Sequence, residues 1–264
     1  MEQKQPRIIT VATMNIRHDA DRWPERRPLL SQGLRRLAPD VIALQEVALG
    51  IDQAALLQSD LNGEMDAAPY AAFVEPKTGA APTEGIGCLT RLPVARSTRL
   101  ELPGGWRIAQ ALDFRQDGVS FCVVNTHLHH EPADSEEIRA KQSAAIMEYL
   151  EAEAARDPDK HWILAGDFNA TPETETVQRV LTRLVSAYPI IHGAEPKYTY
   201  PTPLAAEDYA DPTSYHCIDY LFVSPSIHVH DIQMIFDEPG PDDPALFPSD
   251  HFGLLATISF PDAS

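Results

Sequence analysis

Apolar positions along this chain fall into short runs, and most of the runs stop at a polar residue. Ile8 to Ile16 is apolar and β-branched and predicts a strand. Val41 to Leu44 predicts a short buried strand that runs out at Gln45 and Glu46. The same reading predicts strands over 86–90, 109–114, 120–126, 161–165, 218–223 and 253–260. Leu30, Leu34 and Leu37 share one helical face, so residues 28–37 predict an amphipathic helix that stops before Pro39. A second helix is predicted over 51–61. The clearest one covers 134–155, capped by Asp134 or Ser135, with Glu137 placed as in a capping box. Thr171-Pro172 opens another over 173–184. Residues 186–215 are rich in Pro, Tyr and Thr and read as a long ordered loop, a kind that is usually functional. Strands and helices mix without strict alternation, and no repeat or low-complexity linker divides them. That pattern predicts an α/β sandwich of two packed sheets with outer helices, rather than a barrel.

Composition narrows the class. With 264 residues and 44% hydrophobic content, the chain can fill a sizeable core and is not disordered. It has no apolar run long enough to span a membrane, and its polar start lacks a signal-peptide core, so a cytoplasmic protein is expected. Cys88, Cys122 and Cys217 sit singly in apolar runs and read as buried, reduced thiols. The net charge is −18, and from Leu184 to Ser264 the only Lys or Arg is Lys197. A long nucleic acid is repelled by such a surface, because phosphate binding relies on basic side chains. Arginines are denser earlier, from Arg17 to Arg27 and from Arg91 to Arg115, and most read as solvated. Arg17 stands apart because it lies just beyond Asn15.

The run endings carry the chemistry. They are Asn15, Glu46, His127, Asp167 with Asn169, Asp219, and Asp250 with His251. Side chains at strand ends converge on a mouth at one edge of a scaffold. Singly, each has a plainer explanation. Asn15 and Asp167-Phe168-Asn169 could be turn residues, Glu46 a surface charge, and Asp250-His251 a helix cap. His127, His129 and His130 could form a zinc patch, but no cysteine lies nearby to complete a compact set. Asp219 resists such an account, since a carboxylate inside Cys217–Val223 is costly unless paired or ligating. Together they suit metal-assisted phosphoester hydrolysis. Carboxylates hold a hard cation or orient water, an amide binds a phosphate oxygen without adding charge, and histidine trades protons near neutral pH.

In order along the chain, Met14-Asn15-Ile16, Gln45-Glu46-Val47, Glu84-Gly85-Ile86-Gly87, Asn125-Thr126-His127-Leu128, Gly166-Asp167-Phe168-Asn169, Ile218-Asp219-Tyr220 and Pro248-Ser249-Asp250-His251 resemble the motifs of the endonuclease/exonuclease/phosphatase superfamily. The resemblance implies a four-layer α/β/β/α sandwich and one catalytic domain over 1–264. It implies Glu46 as principal ligand of Mg²⁺ or Mn²⁺, with Asn15 and Asp250 near the metal. Asp167 would orient or deprotonate water, and Asn169 would hold a phosphate oxygen. His251, oriented by Asp219, and His127, oriented by Glu84, would serve the phosphate and leaving group, with Arg17 also binding substrate. His127 stands where abasic-site endonucleases often carry Tyr. Phe247 to Leu255 is similar to the end of tyrosyl-DNA phosphodiesterases and some deadenylase-like members. Arg17-His18-Asp19 with Trp23 and Arg26-Arg27 resembles uncharacterised bacterial hydrolases. The expected protein is a monomeric phosphoesterase for a small or short substrate, with no membrane partner. The rivals are a nuclease or DNA-repair phosphodiesterase, needing an Arg-lined groove from Arg91 to Arg115, and a catalytically silent binding module.

Overall fold

Side-chain alternation along the strands builds two sheets and three apolar layers. The computed structural model describes residues 8–63, 69–130 and 135–261. Among these, one six-stranded sheet runs in the order β11 (His228–Ile235), β12 (Gly253–Ser259), β1 (Ile8–Asn15), β2 (Val41–Ala48), β4 (Glu84–Thr90) and β3 (Ala71–Pro76). The second runs β5 (Val94–Glu101), β6 (Ile108–Gln116), β7 (Val119–His127), β8 (His161–Asp167), β10 (Asp219–Val223) and β9 (Val185–Ser186).

On β1 and β2, Ile9, Val11, Val41 and Ala43 turn inward, and Ala12, Met14, Ile42 and Leu44 turn outward. The inward set meets Leu112, Phe114, Val123, Ile163 and Leu221 of the second sheet, making the central core. The outward set is covered by α1 (Trp23–Leu37) and α2 (Gln53–Asn62) through Leu30, Leu34, Leu57 and Leu61. The far face of the second sheet takes α3 (Ser135–Ala154) and α4 (Glu175–Val180) through Ile146, Leu150, Val177 and Val180. This is the expected four-layer α/β/β/α sandwich. Burial of each large aliphatic side chain contributes about 2 kcal/mol, which offsets the polar groups gathered at one edge.

Strand direction creates that edge. β1 runs parallel to β2, and β7 parallel to β8, so their ends lie on the same side. β12, β4, β6 and β10 run antiparallel to these neighbours, so their beginnings lie there too. Residues far apart in sequence therefore meet, as Asp219 pairs with Asp167 across β10 and β8.

The eight interior strands coincide with the eight predicted runs, and the four strands missing from the sequence reading are β3, β5, β9 and β11, the outer strand at each side of each sheet. An outer strand has one neighbour and a wet side, so it lacks a continuous apolar run. β5, with the sequence VARSTRLE, has no buried residue. α1 begins at Trp23 rather than Pro28, and Pro28 lies inside it. The helix expected over 173–184 is only α4, ending at Val180 before the chain turns into β9. The loop expected over 186–215 contains α5 (Ala187–His192) and α6 (Ala206–Ala210). Asp134, a candidate cap, and the polar start of the chain lie outside the described residues. The three cysteines are free and buried. No helix among the described residues is long and apolar enough to cross a membrane.

The sheets are stitched by a buried amide. The register of β2 on β4 slips between Leu44 and Val47, which opens the ladder. Asn125 of β7 supplies the donors: its Nδ2 donates to Leu44 O and to Gly87 O, both at 2.9 Å. Its Oδ1 accepts from Gln45 Nε2 at 2.7 Å. Asn125→Ala leaves two buried carbonyls without these donors and is expected to destabilise the fold by about 2–4 kcal/mol in urea unfolding. A loss below about 0.5 kcal/mol would show that the bridge is dispensable.

Candidate active site

The polar edge is organised around Asp167. β8 reaches it through Gly166, whose φ of 143° and close approach to β7 require glycine, since a Cβ would lie 1.9 Å from Thr126 O. That approach places His127 beside Asp167 in the strand register. Asn15 of the other sheet donates from Nδ2 to Asp167 Oδ2 at 3.0 Å. The Asn169 backbone N–H donates to Asp167 Oδ1 at 2.9 Å, and Asn169 adopts a left-handed φ of 48°. Asn169 Nδ2 donates to Leu128 O at 3.2 Å, which turns the side chain toward the β7 end of the cleft. His127 Nε2 and His251 Nε2 lie 3.5 and 3.9 Å from Asp167 Oδ2. His251 Nδ1 is 2.9 Å from Asp219 Oδ2, which also accepts from Thr199 Oγ1 at 2.6 Å. Asp219 opens β10 rather than lying mid-strand, so its cost of burial is met by this pairing.

Charge follows from these contacts. Burial opposes protonation of His251, but Asp219, through its charge and hydrogen bond, overrides it and raises the imidazole pKa to about 10, with Asp167 and Asp250 adding to the effect. His127 is held well below the usual histidine value by burial and by the neighbouring Arg107 and Lys77 charges. The edge thus carries one cationic and one neutral imidazole. Burial, reinforced by Asp219, pushes the Asp167 carboxyl up to about 7.

A second group lies alongside. His18, Glu46 and Glu84 offer ligand atoms within 4.8 Å of one another, as do Asp167, Asp219 and His251. Glu46 sits at the β2 bulge with a left-handed φ of 52°. The first set offers two carboxylates and an imidazole, a donor set that fits a divalent cation. Two of the expected metal residues are otherwise engaged: Asn15 is turned to Asp167, and Asp250 pairs with Arg17 NH1. Glu84, expected to orient His127, pairs instead with Lys77. His127 Nδ1 has no hydrogen-bond partner among the described residues.

Arg26, which reads from sequence as a solvated residue, is 0% exposed. Its guanidinium donates to the carbonyls of Ile16, Arg17, His18, Ala20, Asp21 and Pro248. It thereby holds the loop after β1, where Arg17 and His18 take positive φ, against the loop that presents Asp250 and His251. Sequence reading also missed Thr199, Tyr200 and Lys77. Tyr200 packs its ring 4.8 Å from His251. The Tyr- and Thr-rich character of 186–215 was the available signal for the first two. Lys77 follows an outer strand and carried none.

A buried carboxylate between two histidines, paired amides and an adjacent His/Glu/Glu set gather on one edge of a four-layer sandwich. The sequence model of the Endonuclease/Exonuclease/phosphatase family matches residues 12–251, and the chain belongs to that family. It is 26% identical to human Nocturnin over 274 aligned residues, which cover 93% of this chain and 60% of that protein. The chain thus spans about 60% of the length of its first curated relatives. Truncated Caenorhabditis elegans TDP2 superposes with a TM-score of 0.77 at 20% identity, covering 96% of this chain and 97% of the other. The human Nocturnin catalytic domain with bound sulfate anion gives 0.75 at 24% identity, covering 96% and 95%. At these identities the superpositions speak to fold.

Asp219→Asn tests the charge assignment. Without the aspartate charge, burial prevails, and His251 is expected to lose its proton below about pH 7 in an NMR titration. A His251 still protonated at pH 9 would assign its charge to another group.

Proposed function

We propose that this protein hydrolyses a phosphoester through water attack at the polar edge, with a divalent cation bound beside Asp167. The observation that carries the reading is the buried chain Asn15–Asp167 and His251–Asp219, which joins both sheets at one point. Asp167 stands 3.5 Å from His127 and 3.9 Å from His251, so it is the carboxylate positioned to orient water and accept its proton. His251, protonated against Asp219, supplies positive charge and a donor to a phosphoryl oxygen. Neutral His127 and the Asn169 amide line the opposite side, and Arg17 stands next to Asp250. Glu46, with Glu84 and His18, would hold Mg²⁺ or Mn²⁺. When bound, the cation supplies Lewis-acid stabilisation of phosphate charge. The sulfate in the human Nocturnin catalytic domain supports the reading, because sulfate has the shape and charge type of a phosphoryl group.

The substrate in this reading is small or short. Of the arginines from Arg91 to Arg115 that would have to line a nucleic-acid groove, Arg91, Arg96, Arg99 and Arg115 pair with Asp40, Asp113, Glu75 and Asp157, and Arg107 is buried against His130. With the acidic C-terminal third, that pairing disfavours the nuclease reading. A single catalytic domain over 1–264, working as a cytoplasmic monomer, belongs to the same proposal. A silent binding module would not need the charge-balanced carboxylate–imidazole chain.

Turnover of bis-p-nitrophenyl phosphate or p-nitrophenyl phosphate is expected only with Mg²⁺ or Mn²⁺, lost to chelation and restored by adding metal back. Asp167→Asn is expected to lower kcat by about 10²–10⁴-fold. Metal-independent turnover, or an Asp167→Asn chain as fast as wild type, would sink the mechanism. Glu46→Gln is expected to weaken Mn²⁺ binding at least about tenfold in calorimetry, and an unaltered isotherm would move the cation elsewhere. Oligonucleotide binding that falls steeply with salt would favour the nuclease reading instead.

A further inference from the structure

Trp106 is the most exposed large hydrophobic side chain among the described residues, at 71%, whereas Trp23 and Trp162 are buried. It lies at the catalytic edge. β6 begins at Ile108 and pairs Ala109 with Thr126, which sets Ile108 beside His127. Trp106 lies two residues before Ile108, in the turn that leads from β5 into β6.

The exposure is imposed by the backbone. Gly104, Gly105 and Trp106 take φ of 71°, 62° and 53°, a left-handed series that a bulky aromatic residue rarely joins. The loop is pinned on several sides. Gln142 Nε2 donates to Gly104 O at 2.9 Å, Leu102 N–H to Arg107 O at 3.0 Å, and Thr78 N–H to Trp106 O at 3.2 Å. Gly105 is packed so tightly that a Cβ there would lie 2.4 Å from His129 Nδ1. The Thr78 contact ties the loop to Lys77, which faces Glu84 of the candidate cation group. A rigid loop thus spends an unfavourable conformation on holding an indole in water beside a phosphoester site.

We infer that Trp106 is a stacking platform for a planar ring on the substrate's organic part, so that the phosphoester recognised here is that of a nucleotide rather than of a bare sugar or alkyl phosphate. The indole face attracts any nucleobase, and base–aromatic stacking is sequence-tolerant. A single base needs no basic groove, which agrees with the ion-paired arginines and the acidic C-terminal third. The inference rests on the phosphoesterase reading of the cleft and names the substrate class within it.

The test titrates the Asp167→Asn chain, in which turnover is expected to be about 10²–10⁴-fold slower, with adenosine 5′-monophosphate and ribose 5-phosphate in Mg²⁺. Tryptophan fluorescence and calorimetry are the readouts. The adenosine ligand is expected to quench fluorescence and bind about tenfold or more tightly than ribose 5-phosphate. Adding Trp106→Ala is expected to abolish the quench and bring the two affinities together, while Trp106→Phe keeps most of the difference. Trp106 is on the surface, so neither substitution threatens the fold. Equal affinities before substitution, or a preference that survives Trp106→Ala, would overturn the platform. So would binding of neither ligand by a protein whose wild type still turns over bis-p-nitrophenyl phosphate. Loss of the wild-type turnover itself would instead overturn the phosphoesterase reading, and the platform with it.

Discussion

The hydrogen bond from Asn15 Nδ2 to Asp167 Oδ2 is the contact on which the rest of this edge depends. It joins the end of β1 in one sheet to the end of β8 in the other. Both partners are buried, so breaking it leaves a carboxylate and an amide without their shared contact, in surroundings where water cannot easily compensate. Beneath it, Asn125 and Gln45 form a second amide bridge between the same sheets. Two such bridges, one above the other, set how the sheets align. Alignment in turn decides whether His127, Asp167 and His251 lie within reach of one another.

Arg26 does for the loops what these amides do for the strands. A guanidinium can satisfy several carbonyls at once in fixed geometry, and here it gathers six from two loops. The residues it holds include Arg17 and His18 on one side and Pro248, just before Asp250 and His251, on the other. Burial lowers the pKa of this arginine to about 10, with the Asp250 charge opposing the shift. A structural cation therefore adds to the field at this edge while its own donors are spent on backbone carbonyls.

The two histidines illustrate how one edge holds opposite charge states a few ångströms apart. Both are buried, and burial alone would leave both neutral. His251 has a dedicated carboxylate on Nδ1, while His127 faces Arg107 and Lys77. Partner identity decides the outcome, and partner identity follows from which strand ends lie side by side.

Much of this was legible in the residues themselves. Interior strands read clearly because a strand flanked on both sides and covered on both faces must be apolar along its length, as Val41–Leu44 and Tyr220–Val223 are. The polar stops at Asn15, Glu46, His127, Asp167, Asp219 and His251 were visible for the same reason: each interrupts an apolar pattern. Outer strands such as β5 and β11 were not, because one wet side removes the apolar signal. Nor did the chain disclose that Glu84 turns to Lys77, that Asp250 turns to Arg17, or that Arg26 lies in the interior. Apolar patterning is a local property of consecutive residues, so sequence carries it directly. The choice of partner for a charged side chain is settled by which distant segments the fold brings within a few ångströms, and only the assembled sheets decide that.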